Sequence, residues 1–433
     1  MTDVFWSEAM EKNHLKSIIV EQHEQMQRRE TGYLREALSA IAPKLKLKHN
    51  LIITGPRRAG KSTLLLQLMR RHLAADAFYF LRFDDERLLN FTVEDFNLLY
   101  ECFIELQGER AIFFFDEIQN IPDWERFVNR MYEQGKQFIL TGFNANLLST
   151  ELSSLLTGRH LDFELYPFSF TEFLQTKQFT LSSQNFFNTR KRAKVNTLFS
   201  EYLTCGGFPE YLLQGDPQIL QELFRDIITK DIVLRHKVRE VHAIRDLAGY
   251  LVSNVTSLIS YNSLRKHYEL GSPHTIKNFI AYFEEVYLFF ELPMFSFSVR
   301  RQAQNKRKIY AIDNAVVKAN GFAFSENLGK QLENLVFLEL KRQGGEIFYH
   351  KGNHECDFLV KEGNDLTQAI QVTALLNDAN REREFQGLFE AMDAYTLKKG
   401  LLLTLDQRET ITHRQGTVEI LPVSQWIVEG SDL

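Results

Sequence analysis

The sequence predicts an α/β protein in which a parallel sheet flanked by helices is followed by a helical stretch and a second α/β unit. Three observations carry this reading. Short apolar runs alternate with helical periodicity between residues 51 and 165, the glycine-bearing turn from Gly55 to Ser62 joins the first run to a helix, and beyond Tyr166-Pro167 the pattern turns helical until apolar runs resume near residue 286. A chain of 433 residues, 44% hydrophobic and 25% charged, has the composition of a folded protein with several domains and ample core.

Residues 1–48 read as an N-terminal helical segment, with Leu34, Ala37, Leu38 and Ile41 at helical spacing before Pro43. Strands are expected at 51–54, 78–83, 111–115, 138–141 and 161–165, within a core of residues 49–167. Residues 168–258 read as a helical lid. Within 259–325, two short helical stretches precede apolar runs at 286–293 and 308–312 that flank a basic loop, the pattern of a winged helix. From Leu328 a helix and strands at 346–350, 356–360 and 369–372 open the last unit, residues 326–433. The 36 phenylalanines are scattered through periodic segments and are expected to serve the core.

Several classes are excluded or disfavoured. The first 30 residues carry Glu and Lys throughout, so no apolar signal core is present and a cytoplasmic location is expected. Asp116 and Glu117 interrupt the most apolar run, and no stretch approaches the roughly 20 residues of a membrane span. Cys102, Cys205 and Cys356 lack metal-ligand spacing and are expected as reduced, packed thiols. A net charge of −5 means that nucleic-acid contact must come from local patches. Two basic runs qualify: Arg300, Arg301, Lys306, Arg307 and Lys308, and Arg190, Lys191, Arg192 and Lys194. A solvated loop accounts for either run equally simply.

Gly55-Pro56-Arg57-Arg58-Ala59-Gly60-Lys61-Ser62 fits the P-loop pattern in its required context, after an apolar strand and before the helical run that starts at Thr63. Glycines let successive N–H groups point at phosphate oxygens, and the helix start adds its partial positive charge. Lys61 is expected to neutralise the outer phosphates of ATP, and Ser62 to ligate Mg²⁺. About fifty residues on, the next apolar strand ends in Asp116-Glu117. Asp116 is expected in the Mg²⁺ shell and Glu117 as the group that orients and deprotonates water. Asn144, after the following strand, is a candidate γ-phosphate sensor, with loop capping as the alternative. Arg159 is a candidate finger for a neighbouring subunit's nucleotide, and a surface ion pair explains it as well.

With these residues in hand, the chain resembles bacterial and archaeal AAA-type ATPases that carry a C-terminal domain of formerly unknown function. The resemblance covers most of the chain. It is carried by the P-loop, by Phe115-Asp-Glu-Ile-Gln-Asn-Ile-Pro-Asp-Trp124, by Leu156-Thr-Gly-Arg159, by the eight residues from Tyr166, and by Gly206-Gly-Phe-Pro209, Tyr310-Ala-Ile-Asp313 and Leu332-Glu333-Asn334. The chain has Gly142-Phe143-Asn144 where the family usually has Gly-Ser-Ser. The resemblance implies an AAA-type core, a helical lid, a winged helix and a pseudo-nuclease domain, often assembled as a homo-oligomeric ring, a hexamer among the expected forms. His274, Lys277 and Asn278 would then face a DNA groove from the second helix of the helix-turn-helix, which Ser272 would cap; a protein partner is the other use of such a module. Glu333, Asp357 and Gln371 would mark a restriction-endonuclease-like core. Thr373 stands where a working nuclease has lysine and Gln371 where glutamate is common, so no cleavage is expected.

Together these readings favour a Mg-dependent ATPase acting on DNA, a motor of helicase or branch-migration type. The rival is an ATP-dependent signalling or defence switch that engages a protein partner. A transcription regulator with a vestigial ATP site fits less well, because Lys61 and Glu117 are both present.

Overall fold

The computed structural model describes residues 10–142, 158–270, 272–322, 327–414 and 416–429. It falls into two compact units, Met1–Leu165 and Tyr166–Leu433.

The first unit is built on parallel strands β1 (Asn50–Thr54), β2 (Phe78–Arg82), β3 (Ile112–Asp116), β4 (Gln137–Thr141) and β5 (His160–Glu164), in the order β2-β3-β4-β1-β5. Successive side chains alternate across the sheet. Ile52, Phe113, Phe115, Phe138 and Leu140 enter one core, and Leu51, Ile53, Phe114 and Ile139 enter the other. Helices cover both faces, which is why these strands read as nearly unbroken apolar runs. The first core takes Leu15, Ile18 and Ile19 from helix Lys12–Arg28 and stacks Phe96 on Phe127 at 4.6 Å. The second takes Leu64, Leu65 and Leu68 from helix Lys61–His72. Gln22 closes the outer edge of β2, accepting from Arg82 N–H at 2.8 Å and donating to Arg82 O at 3.1 Å. Because all five strands run the same way, their C-terminal ends share one edge, with β4 between β1 and β3. That order brings the Gly55–Ser62 turn, Asp116 and Thr141 to one place.

The second unit opens with helices that include Phe170–Thr176, Thr189–Cys205, Gln218–Asp226 and Val241–Ser253. An antiparallel sheet of β6 (Leu258–Ile259), β7 (Phe289–Pro293) and β8 (Arg307–Ala311) follows, in the order β6-β8-β7. Helices Tyr261–His267 and Pro273–Glu285 lie between β6 and β7. Ser272 caps the second helix, its Oγ accepting from His274 N–H at 3.1 Å, and Pro273 occupies the first turn, where its missing N–H costs nothing. Helix Val299–Gln304 sits in the β7–β8 connection. A mixed sheet of β9 (Glu346–Lys351), β10 (Glu355–Glu362), β11 (Asp365–Val372), β12 (Lys399–Thr404), β13 (Glu409–His413) and β14 (Gly416–Pro422) completes the unit, in the order β13-β14-β12-β11-β10-β9. Strands β9 to β11 are antiparallel, and β11 pairs with β12 in parallel after helix Arg381–Ala394. Among the described residues no helix is long and apolar enough to cross a membrane, and the three cysteines are free.

Candidate active site

The turn after β1 has the shape of an anion cradle. Gly55 has φ +143°, and a Cβ there would meet Leu165 O at 2.1 Å, so only glycine lets the two backbones approach. Gly60, at φ +98°, opens helix Lys61–His72 and aims its N-terminal N–H groups at the turn. Lys61 is buried, with Nζ donating to Gly55 O at 2.9 Å and Pro56 O at 3.1 Å. Thr63 follows in the first helical turn, while Pro56 and Ala59 are buried and Arg58 is exposed.

Asp116 ends β3 fully buried, hydrogen-bonded to the hydroxyls of Ser62 and Thr141. Burial pushes its carboxyl pKa up, Glu117 adds to the rise, and those hydroxyls and Lys61 oppose it. Thr141 also accepts the Glu117 N–H at 3.0 Å, so one hydroxyl positions both acids. Glu117 lies in the left-handed region at φ 55°, uncommon for a non-glycine residue. Its Oε1 stands 4.0 Å from Lys61 Nζ, and Oε2 accepts from Gln119 Nε2 at 2.5 Å. Lys61, Ser62, Asp116 and Glu117 are thus brought together, as the spacing predicts. The donor set suits Mg²⁺ with a phosphate: a hydroxyl and a buried carboxylate beside a glycine cradle and an ammonium.

Three contributors were not legible in the sequence. Thr141 reads there only as the end of a strand. Arg35 is buried and donates from Nη1 to Ala59 O at 2.5 Å, bracing the turn from the N-terminal segment. Gln67 holds that segment through Thr31 O at 2.8 Å and Tyr33 O at 2.7 Å. A cavity of about 80 Å³ adjoins Ser62 and Asp116, lined also by Gln22, Met26, Arg29 and Arg82. Asn144 lies outside the described residues. Arg159 precedes β5 at the end of the sheet opposite the Gly55–Ser62 turn, since its carbonyl pairs with Asn50 N–H at the start of β1. Five residues of strand, roughly 16 Å, separate it from the turn of its own chain. It pairs instead with Asn129 at 2.6 Å and Glu133 at 3.0 Å.

In the second unit His274, Lys277 and Asn278 are all exposed along helix Pro273–Glu285, and Arg300, Arg301 and Lys306 are exposed in and after helix Val299–Gln304. Arg307 is half-buried, 3.4 Å from Glu291. Lys308 corrects the expectation of a nucleic-acid contact. It is 2% exposed and points inward from β8 to Glu333, Glu355 and Asp357. Strand alternation turns Lys308 away from its neighbour Arg307 and toward these carboxylates, while Lys306 precedes the strand and stays exposed. Gln371 lies alongside, its Oε1 accepting from Asp357 N–H at 3.3 Å and its Nε2 donating to Glu384 at 2.8 Å. Thr373 is buried at the end of β11.

The motif landmarks of this unit form one network. Asp313 accepts from Gly207 N–H at 2.6 Å and from Ala315 N–H at 2.8 Å, capping helix Asn314–Asn320, and a Cβ on Gly206 would strike its carboxylate at 2.1 Å. Asn334 bonds Ala311 through both N–H and O, at 2.9 and 3.1 Å. These residues are structural ties. Among the described residues no group of three or more His, Cys, Asp or Glu side chains is arranged to hold a metal ion.

Comparison with known proteins places an AAA domain over residues 48–174 and a domain of unknown function, DUF8612, over residues 196–325. The uncharacterized protein MJ1544 of Methanocaldococcus jannaschii is 33% identical over 394 residues, covering 87% of each chain. An uncharacterized protein of Haemophilus influenzae is 29% identical over 392 residues, covering 87% of this chain and 94% of its own. Among solved structures, the Aeropyrum pernix ORC1 protein in complex with DNA aligns at TM-score 0.32 and 14% identity, over 70% of this chain and 96% of that one. The Thermotoga maritima RuvB Holliday junction branch migration motor aligns at TM-score 0.30 and 16% identity, over 65% and 94%.

Proposed function

The chain belongs to the family of MJ1544 and is an ATP-hydrolysing P-loop NTPase with an AAA-type core, and on that premise we propose that it is a Mg-dependent ATPase acting on DNA. Lys61 and the N–H groups of the Gly55–Ser62 turn bind and orient the phosphates. Ser62 and Asp116 would hold Mg²⁺, which when bound supplies charge neutralisation at the phosphate oxygens. Glu117, set by its left-handed backbone and by the Thr141 bridge, orients the attacking water and takes its proton. Arg159 faces away from its own turn, so its use as a finger requires a neighbouring copy, and we read the active form as a homo-oligomeric ring.

The observation that carries the DNA reading is the β7–β8 connection. Arg300, Arg301 and Lys306 are exposed there beside Phe297, 87% exposed, and Val299, 81% exposed. Cationic side chains suit a phosphate backbone, and an exposed aromatic beside them suits stacking on bases or sugars. The β6-β8-β7 sheet with its paired helices supports a winged helix, with His274, Lys277 and Asn278 along its second helix. The last unit, a helix, an antiparallel β9-β10-β11 sheet and a parallel crossover to β12, supports a nuclease-like fold that no longer cuts.

Measuring ATP turnover with no DNA, single strands, duplex and four-way junctions, at several salt concentrations, tests this. We expect turnover to rise with at least one DNA form, and replacement of Arg300, Arg301 and Lys306 by alanine to reduce the salt dependence of binding by about one unit of slope per lost phosphate contact. Turnover indifferent to every DNA form, with no salt-sensitive binding, favours the signalling switch instead.

A further inference from the structure

Lys308, one member of the basic run, lies among three carboxylates. Its Nζ stands 3.0 Å from Glu333 Oε1, 2.9 Å from Asp357 Oδ1 and 2.8 Å from Glu355 Oε1. Glu333 comes from helix Leu328–Gln343, while Glu355 and Asp357 are alternate residues of β10 and share one face of it. An ammonium has three N–H donors, and here each finds a carboxylate oxygen at hydrogen-bond distance. Two of the three carboxylates take a further donor. Tyr310 donates to Glu333 Oε1 at 2.8 Å, and Val372 N–H donates to Asp357 Oδ2 at 3.0 Å. Gln371, a neutral amide, adds no charge.

Oxygen ligands within about 2.0 to 2.6 Å are what Mg²⁺, Mn²⁺ or Ca²⁺ needs. A divalent ion on these oxygens would therefore stand on the ammonium itself. Access does not exclude it, because Glu333, Glu355 and Asp357 line an open cleft of about 470 Å³, with Lys330, His354 and Arg383 on its walls. Occupancy does.

We infer that Lys308 is the resident cation of this cluster: its ammonium fills the position a divalent metal would take, so the wild-type unit binds no metal there and cleaves no nucleic acid. The inference rests on the nuclease-like reading only for what the cluster would otherwise do. The ion geometry stands without it, and counting bound metal tests that geometry apart from cleavage. It also accounts for a basic residue that the wing does not use.

The test uses the full chain without nucleotide and Mn²⁺ as probe, followed by electron paramagnetic resonance. Wild type and Asp357→Asn are expected to bind the same amount of Mn²⁺. Lys308→Met is expected to bind one additional ion per chain, lost again in Lys308→Met/Asp357→Asn, with near-ultraviolet circular dichroism checking that each variant is folded. Plasmid incubated with wild type and Mg²⁺ is expected to stay intact. Mn²⁺ uptake by wild type that Asp357→Asn abolishes overturns the inference, as does a folded Lys308→Met chain that gains none. Mg²⁺-dependent cutting by wild type that Asp357→Asn removes would make Lys308 a catalytic lysine instead. Where Lys308→Met does not fold, the wild-type and Asp357→Asn pair still decides.

Discussion

Lys61 and Lys308 are both buried lysines beside carboxylates, 4% and 2% exposed, and they do opposite things. Lys61 gives hydrogen bonds to two backbone carbonyls and stands 4.0 Å from Glu117. Lys308 is bonded to three carboxylates at 2.8 to 3.0 Å. In the first unit Asp116 is held by hydroxyls and Glu117 by a left-handed backbone and the Thr141 bridge. In the second the acids and the lysine satisfy one another. Residue type does not separate a catalytic cluster from a structural one; the distance at which opposite charges meet does.

The largest expected effect breaks the first cluster. Glu117→Gln keeps shape and hydrogen bonding but removes the base, so ATP turnover should fall by about 10²- to 10⁴-fold with nucleotide binding retained. Steady-state hydrolysis beside binding of a fluorescent ATP analogue checks this. Unchanged turnover would mean that the left-handed Glu117 does not orient water, and the contrast between the two clusters would collapse.

Exchanging each lysine for methionine sharpens the contrast in stability. Lys308→Met leaves buried carboxylates without their partner, a change that costs about 3–5 kcal/mol where one member of a buried pair is removed. Lys61→Met removes donors from the buried carbonyls of Gly55 and Pro56, and its loss, on the order of 1 kcal/mol, should be accompanied by loss of nucleotide binding. Chemical denaturation of the two variants beside wild type measures the difference. Equal losses would contradict it.

The parallel core was legible because its strands are buried on both faces and separated by helices long enough to show periodicity. The turn at Gly55 and the acids at Asp116 and Glu117 are contiguous in sequence, and topology only had to bring two segments to one edge. What sequence hid is non-contiguous. Thr141 touches Asp116 and Glu117 from 24 to 25 residues away, and Arg35 reaches Ala59 across 24. Lys308 lies 25 residues from Glu333 and 49 from Asp357 and reads as one more charge in a basic run. Strands β12 to β14 went unread as well, although Leu401–Leu403 is an unbroken apolar run and β14 alternates polar with apolar residues.

The last expected effect is a pH dependence to which the second unit's buried acids contribute. Burial pushes Glu333 up to about 7, with Lys308 opposing the rise, and burial pushes Glu291 up to about 7, with Tyr261 opposing it. A carboxyl raised in the folded chain binds its proton more tightly there than in the unfolded chain, where it titrates near 4.5. The stability it contributes is therefore complete below about 4.5 and is lost as pH rises through about 7, on the order of 1–3 kcal/mol for such a shift. Thermal unfolding of the full chain between pH 5 and 8, followed on the transition that Lys308→Met displaces, should show a melting temperature that falls through this window. Glu291→Gln should flatten the fall by removing one of the contributing groups. Lys308→Met should steepen it and carry it above pH 7, because the charge that restrains Glu333 is gone. A melting temperature that stays level through the same window would mean that Glu333 is ionised against Lys308 throughout.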